Sequence, residues 1–185
     1  MKLLRNLRRQ IRTFSGHPAV RMVDLPLAPE PELLMRKAIE VASQAPRYGD
    51  VPVGAVLWTG GRIVATAFNR REYSQSALGH AELDLVLAFN REVESWRLPP
   101  DSVIAVTAEP CLMCTGALLQ ARVSKVIYGC KDTKNAGLRL VEEKIKAGVF
   151  DHCFEIVAGT LESECAGLLS QFFRQRRAEQ KNTGK

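Results

Sequence analysis

The residues able to do chemistry in this chain are one histidine, two cysteines and one glutamate. Cys111 and Cys114 stand three apart in Pro110-Cys111-Leu112-Met113-Cys114, so a helix opened by Pro110 would send both sulfurs out of its first turn on one side. Helix N-termini lower thiol pKa, and Zn²⁺ favours thiolate sulfur and imidazole nitrogen, so His80 completes a plausible set of three ligands. Three protein ligands leave a fourth position for water, which marks a catalytic zinc; structural sites normally close with four Cys or His side chains. Glu82, two residues past His80, can lie beside that water without joining the metal, taking its proton and delivering it elsewhere. A C-x-x-C alone reads equally well as a redox pair or half a zinc knuckle, and an H-x-E alone as a solvated helix start. Their combination specifies the metal site.

Strands and helices must bring these residues together. Leu34, Ala38, Val41, Ala42 and Ala45 recur on one helical face, predicting a first core helix over about 31–46. A valine-rich strand over 51–58, a tight turn at Thr59-Gly60-Gly61 and a returning strand over 62–68 make a hairpin. A polar loop, 70–79, leads to a helix from His80 to about Glu92 that turns Leu83, Val86, Leu87 and Phe89 toward the core, before Pro99-Pro100 breaks the chain. Strands over 103–107, 123–129 and 154–158 alternate with the cysteine helix, a helix over 138–147 and a last helix over 162–180. The expected fold is α/β in three layers, a five-stranded mixed sheet between helices, with the metal at the end of a strand and the starts of two helices.

Composition bounds the rest. A chain of 185 residues, 46% hydrophobic, suits one core, which we place over 26–180, with a basic extension at 1–25 and a short tail at 181–185. No apolar run is long enough to span a bilayer, so a soluble protein without membrane partners is expected. Five cysteines, two of them committed to metal, suggest no disulfide framework and fit a reducing compartment. Residues 1–23 carry six basic side chains and no acid, and residues 168–185 carry five basic and one acidic, while the whole chain is only +6. Basic ends on a mildly acidic body suggest a polyanion held by the termini, RNA or DNA. The Arg-rich, acid-poor start also reads as a targeting segment.

Several motifs carry a resemblance. The spacing H-x-E followed by P-C-x-x-C is the established signature of zinc nucleobase deaminases. Asp50-Val51-Pro52-Val53-Gly54-Ala55-Val56, Phe68-Asn69-Arg70, His80-Ala81-Glu82, the stretch 109–117 and Tyr128-Gly129-Cys130-Lys131-Asp132-Thr133-Lys134 together resemble the bacterial tRNA-specific adenosine deaminases of the cytidine deaminase-like superfamily. The end, from Glu164 to Arg177, resembles the C-terminal helix of the tRNA-acting members. The resemblance implies hydrolytic removal of the 6-amino group of adenosine at the tRNA wobble position, with one zinc per subunit held by His80, Cys111 and Cys114. It implies that Glu82 carries a proton first to the ring nitrogen and then to the leaving amine, and that Asn69, Val53 and Asp132 meet the base. It further implies a cytoplasmic homodimer lying on the anticodon stem-loop, with Arg174, Arg176, Arg177 and Phe173 or Phe172 near RNA; the N-terminus leaves an organelle open.

The chain also departs from the family pattern. Ser76-Ala77-Leu78-Gly79 replaces the usual Asp-Pro-Thr-Ala, the bulkier Leu85 replaces an alanine behind the metal, Arg139-Leu140 replaces a Gly-Ser pair, and residues 1–25 have no counterpart. Two rival readings share the metal residues. One is a deaminase of free guanine or cytosine, which has no use for a basic last helix; the other is a non-catalytic zinc-containing RNA-binding subunit, which has no use for Glu82.

Overall fold

Near-continuous apolar runs build the three central strands of a sheet, which are buried on both faces. The computed structural model describes residues 30–134 and 136–182; the expected N-terminal extension, the approach to residue 30 and the last three residues lie outside them. Helix α1 spans Pro31–Ala42 and is followed by a 3₁₀ turn, Ala45–Tyr48. Strands β1 (Gly54–Thr59) and β2 (Arg62–Phe68) come next, then α2 (Ala81–Val93), β3 (Val103–Ala108), α3 (Leu112–Gln120), β4 (Lys125–Cys130), α4 (Leu138–Lys146), β5 (Glu155–Ala158) and α5 (Glu162–Asn182). The strand order is β2-β1-β3-β4-β5. β1 runs antiparallel to both β2 and β3, while β3, β4 and β5 are parallel, so the sheet is mixed as expected.

Each strand sends alternate residues to opposite layers. Ala55, Leu57, Ile104, Val106, Val126 and Tyr128 pack under α2, α3 and α4, where Leu85, Phe89, Leu118, Leu138 and Ile145 meet them. Val56, Trp58, Val103, Ala105 and Ile127 pack against Leu34, Met35 and Ala38 of α1 and Cys165 of α5. These are the three α/β/α layers the sequence predicts. Gly54 lets α1 lie against the sheet itself: a Cβ there would stand 2.3 Å from the Ala38 carbonyl oxygen and 2.5 Å from the Ala42 nitrogen. The β1–β2 turn has φ of 58° and 82° at Gly60 and Gly61, the left-handed pair that a two-residue hairpin turn requires.

Three local expectations need correcting. α1 stops at Ala42, because Pro46 supplies no amide hydrogen and its ring opens the 3₁₀ turn instead. In α2 the buried stripe is Glu82, Leu85, Val86, Phe89 and Val93; Leu83 lies on the flank of that stripe and Leu87 is 51% exposed. Pro110 precedes α3, and Cys111 is its N-cap.

Strand direction then gathers the functional ends. Because β1 is antiparallel to β3, pairing Ala55 with Val106, the start of β1 lies beside the end of β3. β2 finishes at the same edge, where the Asn69 amide donates to the Val53 carbonyl (2.8 Å). The end of β4 joins them through the Glu109 amide and the Cys130 carbonyl (2.9 Å).

Candidate metal centre and substrate cleft

Two helix starts meet at this edge. His80 is the N-cap of α2 and Cys111 the N-cap of α3, both in extended backbone. Their carbonyls accept the first helical hydrogen bonds, from the Asp84 amide (3.0 Å) and the Thr115 amide (2.8 Å). Cys114, at the third position of α3, is buried below them. Both helices therefore aim their positive ends at the same point, which favours thiolate.

The three side chains are assembled as ligands. His80 Nδ1 lies 3.7 Å from Cys111 Sγ and 3.5 Å from Cys114 Sγ, and all three ligand atoms fall within 4.8 Å of one another. Tetrahedral zinc, with bonds of about 2.3 Å to sulfur and about 2.0 Å to nitrogen, places S and N ligands about 3.5 Å apart. The observed separations match that edge, and the donor set of two sulfurs and one imidazole is the soft one zinc prefers.

Charge is shared tightly here. A hydrogen bond from the Cys114 thiol holds Cys111 down to about 4. The same contact, with burial and the Glu82 charge, pushes Cys114 far up. A divalent cation touching both sulfurs would favour both as thiolates. His80 is raised, first by its hydrogen bond with Cys111. Glu82, 4% exposed, is raised chiefly by burial, opposed by a hydrogen bond from its own helix-start backbone and by His80.

Around this centre opens a cleft of ≈ 830 Å³. It is lined by His80, Glu82 and Cys111 of the centre, by Val51, Val53, Asn69 and Arg71 from the ends of β1 and β2, by Lys131–Lys134 after β4, and by Leu169, Ser170, Phe173, Arg174 and Arg177 of α5. Of the residues the sequence singles out, Val53, Asn69, Asp132, Phe173, Arg174 and Arg177 thus share one cavity with His80, Glu82 and Cys111. Arg176 does not line it; its guanidinium lies 6.0 Å from the Phe172 ring centroid.

Two buried carboxylates hold the walls, and neither is among the residues singled out from sequence. Asp50, fully buried, accepts from Asn69 Nδ2 (3.2 Å) and from the Glu72 and Tyr73 amides (2.9 and 3.0 Å). Glu109 accepts from the Arg139 amide (3.0 Å) and Arg139 Nε (2.7 Å), while Arg139 Nη2 donates to the Asp132 carbonyl (2.9 Å). Both acids sit inside the motifs quoted above, and an acid within an otherwise apolar run was the available signal. Arg139 stood out only as a departure from the family pattern.

The sequence description of the cytidine and deoxycytidylate deaminase zinc-binding region matches residues 29–130. A tRNA-specific adenosine deaminase of Bacillus subtilis (strain 168) is 41% identical over 150 residues, covering 81% of this chain and 92% of that protein. A solved structure from a study of A-to-I editing by tRNA:A34 deaminases at the wobble position superposes with a TM-score of 0.68 at 31% identity, over 74% of this chain and 99% of the other. The guanine deaminase of Nitrosomonas europaea shares the fold, with a TM-score of 0.64 at 19% identity over 85% of this chain and 98% of that one. The chain belongs to the cytidine and deoxycytidylate deaminase zinc-binding family, within its branch of tRNA-specific adenosine deaminases.

Proposed function

We propose that this protein removes the 6-amino group of adenosine at the wobble position of tRNA by zinc-dependent hydrolysis, giving inosine and ammonia. The observation that carries the reading is a single cleft lined by Glu82, His80 and Cys111, with Cys114 against the latter two, and by Phe173, Arg174 and Arg177 of the last helix. Zinc held by these three ligands supplies a Lewis acid that makes water nucleophilic near neutral pH. Glu82 accepts one water proton at its carboxylate and delivers it to the purine ring nitrogen, then carries the second proton, from the hydroxyl newly formed on carbon 6, to the departing amine as the carbonyl forms and the C–N bond breaks. Val53 packs beside the base, and Asn69, its amide anchored on Asp50, hydrogen-bonds it from a fixed position. Asp132 closes the opposite side. Arg174 and Arg177 neutralise phosphate, and Phe173 packs near a nucleotide; a free base needs none of the three.

The protein acts as a homodimer. Leu87, Leu112, Met113 and Leu140, on α2, α3 and α4 of one layer, are exposed large apolar side chains that a second copy would cover. A cytoplasmic, reducing location fits five cysteines that form no disulfide, and among the described residues no helix is long and apolar enough to cross a membrane.

The deciding experiment measures inosine on an anticodon stem-loop, with free adenosine, guanine and cytosine alongside and zinc content determined on the same sample. Turnover confined to the stem-loop is expected. Turnover of a free base with an inert stem-loop would overturn the reading in favour of a small-molecule deaminase.

A further inference from the structure

Close to Asn69, two exposed tyrosines stand together over the half-buried Phe68, which packs against the core. Tyr48, the last residue of the 3₁₀ turn, stacks on Phe68 at the end of β2, with centroids 5.6 Å apart and planes inclined by 18°. Tyr73, in the loop between β2 and α2, meets Tyr48 edge to face at 4.9 Å and 65°. Tyr48 is 48% and Tyr73 62% exposed. Single exposed aromatics need no explanation, but a contiguous cluster of rings left in water does.

The cluster is fixed rigidly to the site. Asp50 binds the Tyr73 amide and the Asn69 side chain with the same carboxylate, so the outermost ring and the cleft-lining amide are positioned by one buried group. Arg70 closes the loop at both ends, through its amide to the Gly79 carbonyl (2.8 Å) and its guanidinium to Asp84 (3.0 Å). Arg47, next to Tyr48, and Arg71, two residues before Tyr73, are both exposed, and Arg71 also lines the cleft. Exposed tyrosine rings tied through Asp50 to the cleft-lining Asn69, with the cleft-lining Arg71 two residues from Tyr73, have the chemistry of a single-stranded nucleic-acid platform.

We infer that Tyr73 and Tyr48 form a stacking platform for the unpaired RNA base adjacent to the edited nucleotide. The inference rests on the RNA-editing reading above and goes beyond it in naming where the neighbouring base is held. An adenosine drawn out of its loop into the cleft leaves its neighbour without a stacking partner. A tyrosine pair held by Asp50 beside the cleft-lining Asn69 replaces that partner, whatever the base, because every base has a π-face.

The test uses the full zinc-loaded chain and an anticodon stem-loop carrying 2-aminopurine next to the wobble adenosine, on the 5′ side in one RNA and on the 3′ side in another. Wild-type protein is expected to quench the fluorescence of one of the two on binding. Tyr73→Ala and Tyr48→Ala should abolish that quench and weaken binding about tenfold or more each. The slope of affinity against salt should not change, since no phosphate contact is lost, and Tyr73→Phe should restore both signals. Unchanged quench and affinity in Tyr73→Ala, with wild type still forming inosine, overturns the platform and leaves the editing reading intact. Failure of wild type to form inosine overturns the editing reading itself. A change in the sedimentation mass of RNA-free Tyr73→Ala protein assigns the rings to a contact between copies and also overturns the platform.

Discussion

A carboxyl group withdrawn from water opposes folding unless something compensates it, and Glu82 is 4% exposed with its pKa raised by that burial. Stability gives no reason for an acid at that position, whereas proton transfer does: a carboxyl tuned upward releases and recovers a proton more readily near neutral pH. Glu82→Gln keeps the volume and removes the charge. It should retain zinc and RNA binding, melt no lower than wild type, and lose about 10³-fold in kcat, as read by inosine formation in single-turnover assays at matched metal content. Activity within tenfold of wild type would show that another group moves the protons. Asp50 is the contrasting case at this scale, a buried acid whose oxygens are taken up by Asn69, Glu72 and Tyr73, so its charge is spent on position.

At the scale of elements, the loop after β4 and the start of α3 are built as one piece. The Gly137 and Leu138 amides both donate to the Pro110 carbonyl (3.2 and 3.1 Å), and a Cβ on Gly137 would stand 1.9 Å from the Leu112 nitrogen and 2.1 Å from the Cys111 carbonyl carbon. Gly137→Ala must therefore push the N-terminus of α3 away and carry Cys111 with it. The expected result is loss of bound zinc and a lower melting temperature, measured by elemental analysis and thermal unfolding; a fully zinc-loaded Gly137→Ala protein would contradict the close contact. Arg139→Ala leaves Glu109 its backbone donor but removes the link from Glu109 to the Asp132 carbonyl, so KM for the stem-loop should rise roughly tenfold while zinc content stays constant. Equal loss in kcat with unchanged KM would place the effect at the metal instead. These contacts also explain what the sequence could and could not disclose. His80, Glu82, Cys111 and Cys114 were legible because each short motif spans the start of one helix, so its residues stay together wherever the two helix starts meet. Leu87 was misplaced because helical period alone does not set the phase of the buried stripe, which is decided by what packs above Leu85 and Phe89. The Glu109–Arg139 pair joins residues thirty apart, and no local pattern announces a contact that only the meeting of β3 with α4 creates.

For the whole molecule, charge was visible in the sequence as a basic end but not as a surface. Arg174, Arg176 and Arg177 are equivalent in composition, and α5 separates them by its rotation: Arg174 and Arg177, three apart, share the cleft face with Phe173 and Ser170, while Arg176 turns toward the Phe172 ring. If α5 guides RNA across the cleft, its two cleft-facing arginines release counterions on binding and Arg176 contributes little. Each phosphate neutralised adds about 0.7 to 0.9 to the slope of log affinity against log salt. The double variant Arg174→Ala, Arg177→Ala should therefore flatten that slope by about 1.4 to 1.8, whereas Arg176→Ala should leave it nearly unchanged. Fluorescence anisotropy of a labelled anticodon stem-loop over a salt series, on zinc-loaded protein, measures both. Equal flattening by all three substitutions would mean that RNA feels the last helix only as diffuse positive charge, and the orientation of α5 over the metal centre would then have no part in positioning the substrate.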